Sequence, residues 1–142
     1  MTTMWDPNTV GLLRLPSGRC VRGRGLRRPF PGDPPPSFAV YLTHREPPAT
    51  GWESRWIRWP DFWLPSDPDE LRDALQEARI RSETERVEIA CSGGYGRTGT
   101  ALACLAVLDG IAAGDAVEFV REHYTRRAVE MPWQRRFVAR FR

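Results

Sequence analysis

The sequence predicts an α/β fold in which a largely parallel central sheet is flanked by helices. Three observations carry that reading. Runs rich in β-branched and aromatic residues occur at 37–42, 55–59 and 86–91. Stretches of helical length, amphipathic or wholly apolar, lie between and after them. A glycine-rich turn joins the last of these strands to a helix. Strands that alternate with helical crossovers pair in parallel and bury their sheet under the helices.

In chain order, residues 9–22 hold apolar stretches around a Pro-Ser-Gly turn and read as a short hairpin, while 22–36 is dense in Arg, Gly and Pro and reads as a loop. "SFAVYL" (37–42) and "RWIRW" (55–59) are strands, and "RVEIAC" (86–91) is a third that takes the centre of the sheet. "SDPDELRDALQEARIRSE" is a helix. Ser66 or Asp67 caps it, Pro68 fits its first position, and Asp69 and Glu70 suit its positive end. Leu71, Ala74, Leu75 and Ala78 give it one apolar stripe. "TGTALACLAVLDG" is apolar on nearly every face and stops at Gly110, which predicts a buried central helix. Two more helices follow at 114–124 and 131–141, the second opened by Pro132. With 142 residues and no internal repeat, residues 1–142 read as one domain.

The basic side is all arginine, 21 residues with no lysine, against 18 carboxylates, and the net charge is +3. This modest excess suits anionic substrates. The arginines are scattered rather than gathered into a stripe, so no nucleic-acid partner is expected. Cys20, Cys91 and Cys104 form no C-x-x-C pair and have no histidine at metal spacing. Neither a disulfide framework nor a metal site is therefore expected. The first residues lack a basic segment followed by an apolar one, and no run has the length of a membrane span. The expectation is a soluble, cytoplasmic protein with no membrane partner.

The most informative stretch is "CSGGYGRTGT", residues 91–100. Where a strand passes through glycines into a helix, several backbone N–H groups lack partners, and the helix dipole adds positive potential there. Gly93, Gly94 and Gly96 permit the backbone angles of an anion-binding nest, and Arg97 adds a fork of donors for two phosphoryl oxygens. The same field favours the thiolate of Cys91. One loop thus binds an anion and offers a nucleophile.

These residues resemble the C-x5-R-[ST] signature of cysteine-dependent protein tyrosine phosphatases, in the form that the tyrosine-specific branch carries. The resemblance implies a three-layer α/β architecture of a small bacterial-type, single-domain member. It also implies a phosphate site of Ser92, Gly93, Gly94, Tyr95, Gly96 and Arg97, with Cys91 attacking phosphorus. "RWPDFWLP" (58–65) resembles the acid loop of the same family, which makes Asp61 the general acid and later the base. Trp59 is a hinge anchor, and Phe62 and Trp63 line the pocket or cover the core, with the core role favoured for each. Thr98 is implied as a donor to the cysteine sulfur. "VEMPWQRRFV" (129–138) resembles the loop that orients the hydrolytic water, with Gln134 on that position and Glu130 where many relatives carry a second glutamine. Ala90 stands where the family has histidine, which removes one support of the thiolate.

The resemblance implies a phosphomonoester hydrolase without metal or cofactor. Its substrate is a phosphotyrosine protein or another phosphomonoester, and phosphate or a related oxyanion inhibits it in the loop. Rival readings are a phosphate- or phosphopeptide-binding module with weak turnover and a small-molecule or RNA 5′ phosphatase of the same superfamily. A rhodanese-type sulfur transferase is a further one, but it lacks a partner acid such as Asp61. Arg22, Arg24, Arg27 and Arg28 edge the pocket or lie in solvent. Tyr95 packs underneath the loop or lines its rim. His44 and His123 are surface or helix-end residues, and Cys104 is a buried apolar cysteine.

Overall fold

The computed structural model describes residues 4–32 and 34–142, and residues 1–3 and 33 lie outside them. Among the described residues the elements run β1 (Leu12–Arg14), β2 (Cys20–Gly25), β3 (Phe38–Thr43), β4 (Glu53–Arg58), α1 (Pro68–Arg81), β5 (Val87–Cys91), α2 (Gly96–Leu108), α3 (Ala116–His123) and α4 (Pro132–Ala139). The sheet order is β1-β2-β5-β3-β4, so β5 is central as the sequence predicts. Only the β1–β2 hairpin is antiparallel; β2–β5, β5–β3 and β3–β4 are parallel.

The stretch expected as a loop from residue 22 is instead strand as far as Gly25. Its pairing is long-range: Val21 to Gly25 lie in register with Val87 to Cys91. Charge makes this possible. Glu88 is fully buried, with its carboxylate 2.7 Å from Arg22 Nη2 and 2.9 Å from Arg24 Nε, so two arginines that local composition assigns to solvent share one buried carboxylate in the sheet. Cation–π contact adds to this, with the Arg22 guanidinium 4.2 Å from the Trp5 ring centroid.

Alternation along the strands sorts the two faces of the sheet. Phe38, Val40, Leu42, Val87, Ile89 and Cys91 join one core with the apolar stripes of the helices, including Leu71, Ala74, Leu75 and Ala78 of α1. Ala39, Tyr41 and Ala90 face the other way beneath Leu26 and Trp52, with Phe30 stacked on Trp52. The layer on that second face is irregular chain rather than helix. Helix starts follow their local chemistry: Asp67 Oδ1 accepts from the N–H groups of Asp69 and Glu70, and Pro68 opens α1. Helix α2 begins at Gly96, earlier than the apolar run suggests, so Arg97 belongs to its first turn. No helix among the described residues is long and apolar enough to cross a membrane.

Candidate active site

Strand β5 ends at Cys91, only 1% exposed, and the chain then curls into the N-terminus of α2. Four of the loop's carbonyls accept hydrogen bonds from chain that surrounds it. Cys91 O accepts from Leu26 N and Ser92 O from Arg27 N; Tyr95 O accepts from Gly99 N and Val129 N. Gly94 O accepts from the Tyr124 hydroxyl at 2.8 Å. On the inside of the loop, Gly94 N–H donates to Cys91 Sγ at 3.1 Å. Gly94 has a φ of +85°, and a Cβ there would lie 2.8 Å from Gly25 N, so glycine is required for both conformation and space.

Arg97 is 4% exposed and closes the cup from the helix side. Its Nη1 donates to Trp59 O at 3.1 Å, and its Nη2 lies 3.3 Å from Asp61 Oδ1. The residues singled out as nucleophile, anion-binding arginine and acid therefore share one cavity of about 160 Å³, which Arg27, Phe62, Tyr95, Arg127 and Glu130 also line. Trp59 is fully buried, and its Nε1 donates to Trp63 O at 2.8 Å.

Several side chains stand elsewhere than expected. Phe62 and Trp63 do not cover the core; they are 50% and 56% exposed. Phe62 has a φ of +61°, which turns the chain so that its ring lines the cup, while Trp63 packs on Trp133 with ring centroids 5.5 Å apart. Thr98 is fully buried in the first turn of α2, and its hydroxyl makes no hydrogen bond, to sulfur or otherwise. Gln134 is also fully buried and does not line the cup. Its Oε1 accepts from Glu130 N and Met131 N, and its Nε2 donates to Trp63 O, all at 3.1 Å. This amide ties α4 to the acid loop, helped by Trp133 Nε1 donating to Phe62 O at 2.7 Å.

Of the four arginines near the first loop, Arg27 lines the cup, Arg22 and Arg24 pair with Glu88, and Arg28 donates to the Tyr95 hydroxyl. Tyr95 lies on the rim, with Arg127 4.1 Å from its ring centroid. His44 lines an adjoining hollow that shares Asp61 and Arg97, and His123 is exposed at the end of α3. Burial pushes the Cys104 thiol well above its ordinary range, and all three cysteines are free. Burial, with the nearby Cys91 second, raises the Tyr124 phenol far above its ordinary value, so it remains a neutral donor to the loop. The sequence reading missed Tyr124, Arg121 and Arg127 as parts of the site and passed over Glu130 as a departure from the family pattern. Chemistry within the motifs gives no signal for any of them.

Comparison with known proteins gives this geometry a context. Residues 37–135 match the protein-tyrosine phosphatase family, a span that contains both motifs and the turn bearing Glu130. The chain belongs to the protein-tyrosine phosphatase family. The crystal structure of Tk-PTP in its active form is similar at a TM-score of 0.60 and 28% identity, over 72% of this chain and 74% of that one. The core catalytic domain of the PP-IP phosphatase SIW14 from S. cerevisiae, in complex with citrate, shares the fold at a TM-score of 0.57 and 19% identity, over 75% of this chain and 68% of that one. An uncharacterised protein of Methanocaldococcus jannaschii is 45% identical over 83 residues, 57% of this chain and 50% of that protein. The chain thus spans about half the length or less of the curated relatives it matches.

Proposed function

We propose that the chain is a cysteine-dependent phosphomonoesterase that hydrolyses phosphotyrosine in proteins through a phosphocysteine on Cys91. One observation carries this reading: Cys91 Sγ, which accepts from Gly94 N–H, shares a single cup with Arg97 and Asp61. The amides and Arg97 bind the equatorial phosphoryl oxygens and hold them more tightly as charge develops in the transition state. The Cys91 thiolate attacks phosphorus, and Asp61 protonates the departing oxygen. Water then cleaves the phosphocysteine. Asp61 reaches the cup because Trp59 is buried and Gln134 and Trp133 hold the carbonyls of the acid loop.

A second reading keeps the chemistry and changes the substrate to a compact, multiply phosphorylated small molecule. It is favoured by Arg27 and Arg127 on the rim and by the fold shared with a PP-IP phosphatase. Hydrolysis of p-nitrophenyl phosphate, a phosphotyrosine peptide and an inositol polyphosphate, with a chelator present, tests both. Cys91→Ser should abolish turnover, and Asp61→Ala should lower kcat by on the order of a hundredfold or more. A wild type that binds phosphate but turns over none of the three would refute both readings in favour of a binding module.

A further inference from the structure

A second carboxylate shares the cup with Cys91. Glu130 lines the cavity, and its Oε1 lies so close to Gly96 that a methyl group there would collide with it. Gly96 therefore leaves room for a carboxylate against the first turn of α2, beside the amides that hold the anion.

The turn that carries Glu130 is strained and heavily fastened. Val129 has a φ of +65°, a left-handed conformation that is rare for a β-branched residue and persists only where its surroundings enforce it. The enforcement is visible. Arg121 of α3 donates from Nε to Ala128 O at 2.9 Å and from Nη2 to Val129 O at 2.8 Å. Val129 N donates to Tyr95 O, which ties the turn directly to the cup loop. Ala128 fills the space left by Gly99, where a Cβ would lie 2.7 Å from Ala128 Cβ. On the far side, Gln134 Oε1 holds the backbone N–H of Glu130 itself at 3.1 Å. None of these contacts involves the Glu130 carboxylate, which forms no ion pair among the described residues. The Asp61 carboxylate differs: its Oδ1 faces both Arg97 Nη2 and the N–H of Phe62. The charged or titratable groups that share the cavity with Glu130 are Arg27, Asp61, Cys91, Tyr95, Arg97 and Arg127.

We propose that Glu130 is a catalytic base that takes the proton from the water hydrolysing the phosphocysteine, leaving Asp61 to serve the leaving group alone. The inference rests on the phosphocysteine reading above. In the first step the Sγ–P bond forms, the ester P–O bond breaks, and the proton of Asp61 goes to the departing oxygen. In the second, a water oxygen bonds to phosphorus and the P–S bond breaks, its electron pair returning to Cys91 as thiolate. The proton lost by that water passes to Glu130. Glu130 then releases its proton to solvent, and Asp61 regains one from solvent. The two carboxylates each move one proton per cycle, and no further reactant is needed. Gln134, whose amide is fully engaged by backbone groups, becomes a positioning residue for Glu130 and for the acid loop.

The test is rapid-mixing hydrolysis of p-nitrophenyl phosphate by wild type, Glu130→Gln and Glu130→Ala, with acid quenching to trap phosphorylated protein. Glutamine has the same shape at this exposed position, so that variant keeps the fold and any orienting hydrogen bond while losing the base. Both variants should release a stoichiometric burst of p-nitrophenol, accumulate phosphorylated Cys91, and then turn over on the order of a hundredfold more slowly than wild type. Wild-type turnover by Glu130→Gln would overturn the proposal, because orientation alone would then suffice. Slow turnover without accumulated phosphoprotein in both variants would also overturn it, by placing Glu130 in the first step. A wild type that turns over without ever forming phosphoprotein, or that does not turn over, would refute the phosphocysteine reading itself and this inference with it.

Discussion

Two stretches of chain meet at the cup and are held there by opposite means. The loop from Cys91 to Arg97 takes its curve from its own glycines, the start of α2 and the end of β5, and Leu26 N, Arg27 N, Val129 N and the Tyr124 hydroxyl then fasten its carbonyls. The turn from Thr125 to Glu130 has local bonds only at its start, where Ala128 N–H donates to Thr125 O and Arg127 N–H to Thr125 Oγ1. It is carried by the Arg121 side chain, by Gln134 five residues past the strained Val129, and by van der Waals contact with Gly99. A local loop suits a site that binds the same anion every time. The turn places the Glu130 side chain against that loop and joins it through Val129 N–H to Tyr95 O; on the proposal above, loosening the turn should affect water activation more than anion binding.

The largest expected effect falls on the local loop. Gly94→Ala would force a Cβ onto a left-handed residue and against Gly25 N at 2.8 Å. The strain alone costs about 1–2 kcal/mol, and the contact adds to it. Phosphate affinity and turnover should fall together, measured by calorimetry and p-nitrophenyl phosphate hydrolysis. Retained phosphate affinity would show that the loop tolerates a shift the contacts argue against.

Arg121→Ala sharpens the contrast from the other side. It removes the donor for two carbonyls of the turn, and because the guanidinium is about one-third exposed the loss of stability should be held to about 1–2 kcal/mol. Here kcat should fall while phosphate affinity stays at the wild-type value. Equal loss of both would mean that the turn and the loop form one unit after all.

Tyr124→Phe gives the smallest effect, since it deletes one hydrogen bond to Gly94 O, worth about 1 kcal/mol. Its pH dependence is the more telling readout. The folded phenol lies above the unfolded value of 10.0, because burial disfavours its ionised form. The contribution is therefore complete below pH 10 and declines as pH rises further, when the unfolded chain ionises first. Wild type should lose stability relative to Tyr124→Phe above pH 10 in denaturant titrations. A constant difference between the two would refute the buried, neutral phenol.

How far the sequence reveals this arrangement follows the same division. Cys91, the three glycines and Arg97 are legible because their function needs only neighbours in the chain. Asp61 is legible only through the resemblance of "RWPDFWLP" to the family's acid loop, since Pro-Asp by itself reads as an ordinary turn. Helix α1 can be read down to its cap at Asp67. What local chemistry cannot reveal is pairing at a distance. Gly25 looks like loop until Cys91 is seen beside it, and Arg22 looks solvated until Glu88 is placed against it. Gln134 leaves its expected setting, and Glu130 lines the cup, for a related reason. Both lie in one short segment, and which of them faces the cup depends on the backbone of Val129, which Arg121 and Tyr95 determine from other elements.

The most direct test of the central claim is to mix wild-type protein with p-nitrophenyl phosphate, quench in acid within the first turnovers, and locate any added phosphoryl group by peptide mass spectrometry. The account predicts the adduct on the peptide containing Cys91, with none formed by Cys91→Ala. Continued hydrolysis by Cys91→Ala, or an adduct on any other residue, would contradict it.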